Sequence, residues 1–160
     1  MRRPVGPPSP VAAGLVLRRA ERVDVDRVLE IEREGFQHPW SRELVERELD
    51  HAWSRLLLAE DGPGGPVIGY IVFWIVHDEV HVLNVAASVA ARRRGVGRAL
   101  MVASEEEGLR HGARLSTLEV RRSNTPAISL YLALGYRQIG IRPNYYAEER
   151  EDAIVMVKQL

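Results

Sequence analysis

The sequence predicts a single α/β domain: one mixed, mostly antiparallel sheet of about seven strands flanked by four helices. Three observations predict it. Short apolar or alternating runs, the signature of strands, recur along the chain. Between them lie segments with apolar residues at helical spacing, bounded by caps and glycines. No repeat and no second composition regime interrupts the series over 160 residues, a length that suits one sizeable core.

Taken in order, residues 1–13 are rich in Pro, Gly and Ala without periodicity and read as a disordered tail; the domain is expected to span 14–160. Leu15-Val16-Leu17 begins the first strand. Val25, Val28, Leu29 and Ile31, with Glu32 among them, continue a helical pattern to Gly35. Phe36-Gln37-His38-Pro39-Trp40-Ser41 interrupts it, because Pro39 disfavours helix at His38. Ser41 is placed to cap a second helix that ends near Asp50. Ser54 to Glu60 is a strand, and Asp61-Gly62-Pro63-Gly64-Gly65-Pro66 is a turn by composition. Val67 to Val76 is almost wholly apolar, as in a strand buried on both faces. A three-residue link joins it to Val80–Ala87 as a hairpin.

Three arginines and two glycines follow, Arg92-Arg93-Arg94-Gly95-Val96-Gly97-Arg98, and open a helix that runs to His111 and stops at Gly112. Leu115 to Val120 alternates, with Ser116, Leu118 and Val120 on one face and Leu115, Thr117 and Glu119 on the other. Asn124 and Pro126 start the fourth helix, which Gly135 ends. Tyr136–Ile141 and Ala153–Lys158 are the last strands, joined by a polar loop from Arg142 to Asp152.

Bulk chemistry excludes several classes of function. Lys+Arg and Asp+Glu number 22 each, so no basic surplus points to nucleic acid. There is no cysteine, hence no disulfide, thiolate metal site or cysteine nucleophile. The five histidines show no metal-ligand spacing with carboxylates, so no metal is expected. No apolar run is long enough to span a membrane, and the proline-rich start is unlike a secretory signal. A cytoplasmic location without direct nucleic-acid or membrane binding is expected.

The strand, basic glycine turn and helix at 83–100 form the most informative stretch. Glycines let backbone N–H groups converge without obstruction, and a helix N-terminus adds unpaired donors and a positive dipole end. Such a turn binds phosphate or pyrophosphate. A P-loop is excluded because no Lys-Ser/Thr follows the glycines.

With its Arg92, Gly95 and Gly97, this turn resembles the signature of the GCN5-related N-acetyltransferase (GNAT) superfamily, and the element order matches too. Four further stretches are similar to the RimI-type ribosomal-protein-alanine N-acetyltransferases. They are His38-Pro39-Trp40-Ser41, the run from Leu118 to Asn124, the run from Ala127 to Tyr136, and Asn144-Tyr145-Tyr146 with Glu151-Asp152-Ala153. One departure is Ala87-Ser88-Val89, where that family commonly carries Val, Asp or His, and Pro; a slightly looser turn is expected.

The resemblance implies acetyl-CoA as donor and direct transfer, through a ternary complex, to the N-terminal alanine of a small-subunit ribosomal protein. Its pyrophosphate would lie on the backbone between Arg92 and Gly97. Its pantetheine arm would pair with Val85, Ala86 and Ala87, a backbone N–H near Val85 or Ala86 would polarise the thioester carbonyl, and Asn124 would bond the arm. Arg92, Arg93, Arg94 and Arg98 either contact phosphate or form a solvated basic turn. The resemblance places the general base at Glu119 and the general acid at Tyr131. The alternatives are an exposed strand residue pairing with an arginine and a plain core aromatic. Asn124 also suits an N-cap. His38, Trp40, Asn84, Glu119, Tyr145 and Tyr146 would surround the acceptor, though Trp40 alone could instead staple the first two helices. Competing functions are acetylation of other N-termini or of a small-molecule amine, and a catalytically silent CoA-binding module.

Overall fold

The computed structural model describes residues 14–160, so the expected disordered tail lies outside the described residues. The elements are β1 (Leu15–Arg19), α1 (Val25–Gly35), α2 (Arg42–Asp50), β2 (Ser54–Asp61), β3 (Val67–Val76), β4 (Glu79–Ala87), α3 (Val96–Arg110), β5 (Leu115–Arg121), α4 (Thr125–Ala133), β6 (Arg137–Tyr146) and β7 (Glu151–Gln159). The seven strands form one sheet in the order β1-β2-β3-β4-β5-β7-β6. Every pairing is antiparallel except β4 with β5. That exception follows from the crossover through α3, which returns the chain in the same direction.

The sheet separates two apolar cores. Alternation along β2 and β3 sends Leu56, Leu58, Tyr70 and Val72 to α1 and α2 on one side. Leu57, Ala59, Ile71 and Phe73 go to α3 and α4 on the other. This double burial is why β3 carries almost no polar residue. Local chemistry sets the ends of elements: Ser41 Oγ accepts from Leu44 N at 3.2 Å to cap α2, and Asn124 Oδ1 accepts from Ala127 N at 3.3 Å to cap α4.

One expectation needs correction. The segment from Arg142 to Asp152 is mostly strand, with only residues 147–150 left as a turn. Arg142 pairs with Ala153 and Tyr146 with Glu151, with a shift of register between them. The extra residues fit because β6 is an edge strand: Pro143 forfeits no shared ladder bond there, and Asn144 adopts φ 51° while its N–H donates to Asp152 Oδ1 at 2.9 Å.

Gly69 on β3 lets α3 come close. A Cβ there would stand 2.5 Å from Val96 Cγ1 and 3.0 Å from the Ala86 carbonyl oxygen. Gly69→Val is therefore expected to cost about 2 kcal/mol by overpacking. Thermal unfolding should show a midpoint lowered by about 4–8 °C. An unchanged midpoint would mean that α3 moves freely on the sheet.

Candidate active site

The parallel pair β4–β5 is short. Glu79–Val82 pairs with Leu115–Leu118, and there the ladder stops while both strands continue. A bulge coincides with the parting: Val72 faces Asn84 and Phe73 faces Val82, so Leu83 is an extra residue. From Asn84 to Ala87, β4 keeps β3 on one side and, among the described residues, has no strand on the other. A cavity of about 270 Å³ opens in the gap, bounded by Asn84, Glu119, Tyr131, Trp40, His38 and Tyr146.

A second hollow, of about 640 Å³, adjoins it along Val85–Ala87 and lies against the start of α3. Gly95 sits at the N-cap with φ 77° and, among the described residues, no side chain caps the helix, so the first-turn N–H groups can meet an anion. Arg92, Arg93, Val96, Gly97, Arg98 and Asn124 line this hollow. Arg94 stands apart: its guanidinium meets Asp61 at 2.9 and 3.1 Å and holds that carboxyl below its usual range. The segment lacking proline closes by a 3-10 turn, Val89–Ala91. Ser88 N donates to Ile68 O at 2.8 Å, and Val89 N to Glu34 Oε2 at 2.9 Å, which ties the turn to β3 and α1.

Alternation along β5 separates the chemistry of the two faces. Leu118 joins Tyr131 in the core beneath α3 and α4. Glu119 points to the opposite face, that of α1 and α2. Its Oε2 lies 2.7 Å from His81 Nε2, and Arg142 Nη2 is 3.5 Å from Oε1. The hydrogen bond from His81, with the charges of His81 and Arg142, keeps the Glu119 carboxyl below its usual range against the opposing effect of burial. The His81 ring stands edge-on to Trp74, centroids 6.1 Å apart, and Trp74 Nε1 donates to Glu48 at 2.8 Å. Tyr131 is buried, which pushes its phenol up to about 12; Tyr146 is pushed up to about 12 for the same reason.

The remaining expected residues surround the opening. His38 has a carboxylate at each ring nitrogen, Glu148 at 2.7 Å and Glu149 at 3.1 Å, and so links the α1–α2 connection to the β6–β7 turn. These three residues also form a group with potential metal-ligand atoms within 4.8 Å of one another. Sequence spacing did not disclose it, because 110 positions separate His38 from Glu148. Each ring nitrogen has its own carboxylate, which is the arrangement of ion pairs. Tyr145 does not line the cavity; it lies edge-on to Tyr146, with Arg142 5.7 Å from its ring centroid. Trp40 packs against the core beneath α1 and α2 as well as facing the cavity.

Glu32, Phe36 and Arg121 also line the cavity and His81 supports it, yet none was predicted. Glu32 did leave a signal, a carboxylate three residues after Leu29 and seven after Val25, within the apolar stripe of α1. His81 left none, because its role depends on β4 and β5 being neighbours.

A parted parallel strand pair beside an uncapped, glycine-opened helix is accompanied by a match over the chain itself. Residues 25–136 match the Acetyltransferase (GNAT) family, and the chain belongs to that family of acyltransferases, which in general uses acetyl-CoA. Among its relatives, the [ribosomal protein bS18]-alanine N-acetyltransferase of Escherichia coli K12 is 33% identical over 138 residues, 85% of this chain and 91% of that protein. A Bacillus subtilis relative that carries the same name provisionally is 37% identical over 134 residues, 83% of this chain and 87% of its own. The crystal structure of the Escherichia coli ribosomal-protein-S18-alanine N-acetyltransferase superposes with a TM-score of 0.82 at 30% identity, covering 91% of this chain and 93% of that one. Among the described residues, no helix is long and apolar enough to cross a membrane.

Proposed function

We propose that this chain transfers the acetyl group of acetyl-CoA directly, within a ternary complex, to the α-amino group of an N-terminal alanine on a small-subunit ribosomal protein. One observation carries the chemistry: Glu119 and Tyr131 reach a single cavity from opposite faces of the sheet. The names of the bacterial relatives support this choice of acceptor. The pyrophosphate would rest on the opening of α3 and the pantetheine arm would run along Val85–Ala87, pairing as an added strand with the unpartnered side of β4. The acetyl carbon would then lie at the parting, near Val85 and Ala86, whose backbone N–H groups can stabilise the oxyanion.

The acceptor would approach from the α1 and α2 side, past His38, Trp40 and Tyr146. Its α-ammonium has a pKa of about 7.7–8.0 and first sheds one proton to solvent, because only the free amine carries the lone pair that attacks. As the N–C bond forms, the nitrogen becomes positive and far more acidic, so a carboxylate as weakly basic as Glu119 suffices to take its second proton, directly or through water. The N–C bond forms, the C–S bond breaks, and the sulfur leaves with its electron pair. Tyr131, protonated at neutral pH, hydrogen-bonds the departing thiolate and supplies its proton. His81 is hydrogen-bonded to Glu119 and holds the carboxylate in place between turnovers.

Acetyl transfer to a panel of N-terminal peptides, read by mass spectrometry, tests this directly. Alanine-starting peptides of small-subunit ribosomal proteins are expected to be acetylated at the α-amine and peptides starting with other residues to lag. Transfer only to polyamines or aminoglycosides would reassign the acceptor. Binding of acetyl-CoA without transfer to any amine would define a silent binding module.

A further inference from the structure

Glu32 sits in the apolar stripe of α1, 1% exposed, and lines the wall of the cavity. Its two oxygens serve different partners. Oε1 accepts from the backbone N–H of Trp40 at 3.1 Å, and Oε2 accepts from Asn84 Nδ2 at 2.8 Å. The same amide nitrogen donates to Tyr70 Oη at 3.0 Å. Trp40 belongs to the α1–α2 connection, which brings His38 and Trp40 to the cavity. Asn84 lies at the bulge of β4, one residue before Val85. One buried carboxylate thus joins the α1–α2 wall of the cavity to the strand beside Val85.

We propose that Glu32 is a positioning residue for the acceptor: its ionised carboxylate ties the α1–α2 connection to β4, and protonation unties it and weakens acceptor binding. The inference rests on the reading of this cavity as the acceptor site. The chemistry of the carboxyl group supports it. An ionised carboxylate accepts at both oxygens, whereas a protonated one turns one oxygen into a donor. Both partners of Glu32 are N–H donors, so protonation of either oxygen sets an O–H beside a donor and weakens one of the two bonds.

The surroundings put that event within reach. Burial raises the Glu32 carboxyl to about 7, with the bonds from Trp40 and Asn84 opposing the rise. Among the described residues no cation pairs with it. The Tyr70 phenol of β3 faces it through Asn84. The other charged or titratable groups around the cavity are Glu119 and Arg121 on β5, His38 in the connection, Tyr131 on α4 and Tyr146 on β6. Glu119 is already matched by His81 and Arg142, and Arg121 by Glu149 and Glu151. The tie is therefore intact above about pH 7 and is released as pH falls through that value.

The test combines a titration with kinetics. In the labelled full chain, the Trp40 backbone amide and the Asn84 side-chain amide are expected to shift together with a midpoint near 7. Resonances that stay flat across neutrality overturn the proposal, and this measurement needs no variant. Glu32→Gln keeps the shape but sets an NH₂ against one donor. At alkaline pH it is expected to raise the KM for an alanine-starting peptide about tenfold, the loss of one hydrogen bond to a charged group. The acetyl-CoA dissociation constant should be unchanged, the variant's peptide KM should lack the inflection near neutrality that the wild type shows, and the two amide titrations should vanish. A variant with the wild-type peptide KM and the wild-type inflection overturns the proposal. If the wild type acetylates no peptide, the reading of the acceptor site fails, and the positioning role with it, even where the amides titrate together.

Discussion

Replacing Glu119 by Gln is expected to lower kcat by about 10²–10³, the usual worth of a positioned general base, while acetyl-CoA binding stays close to wild type. Gln keeps the length of the side chain and can still accept from His81, so the packing at the parting of β4 and β5 survives. What it cannot do is take a proton from the attacking amine. The pH dependence separates this role from a structural one. His81 keeps Glu119 below the usual carboxylate range, so it is already ionised throughout the neutral region. The rise of kcat/KM between about pH 7 and 8 should then follow the acceptor's α-ammonium and the Glu32 carboxyl, not Glu119, and persist in the variant at a lower plateau. The linkage has a definite sign. A carboxyl whose pKa falls on folding stabilises the fold above about 4.3, its unfolded value, and that contribution is lost as pH drops through the lowered one. Glu119→Gln should thus narrow the stability difference between neutral and acid solution, as read by denaturant titration. An undiminished kcat would leave Glu119 as only a strand residue paired with His81 and Arg142.

Replacing Tyr131 by Phe is expected to lower kcat by about 10² with the standard donor, with little change in acetyl-CoA affinity because the ring still fills its place in the core. The phenol, pushed up to about 12, stays protonated across the neutral range, so its removal should add no limb to the pH profile there. The discriminating measurement uses acetyl donors with more acidic thiols. Those sulfurs leave without help, and the deficit of the variant should shrink toward none. An equal deficit with every donor would show that Tyr131 acts by packing alone.

Much of this architecture was legible in the chain. The glycine turn, the hairpin of β3 and β4 and the alternation of β5 are local, and local signals placed Glu119 on the face opposite Leu118. What escaped depended on contacts between distant segments. The partnership of His81 with Glu119 exists because a crossover makes β4 and β5 neighbours. The position of Glu32 depends on a bulge that turns Asn84 toward α1. The stretch from Arg142 to Asp152 looked like a loop because its composition is polar; an edge strand that carries Pro143 and a bulge can be polar without losing its pairing.

The order β5-β7-β6 has a consequence for how the molecule is made. β7 follows β6 in sequence yet is an inner strand of the sheet: it pairs with all seven residues of β5, Leu115 with Gln159 through to Arg121 with Ala153. Until β7 is in place, β5 is an open edge, and the strand that carries Glu119 lacks a neighbour on that side. The hairpins β2–β3 and β3–β4 join neighbouring segments and can form early, whereas the other half of the sheet waits for β7 to pair with β5. Assembly of the wall that carries Glu119 is thereby coupled to a pairing between segments far apart in the chain.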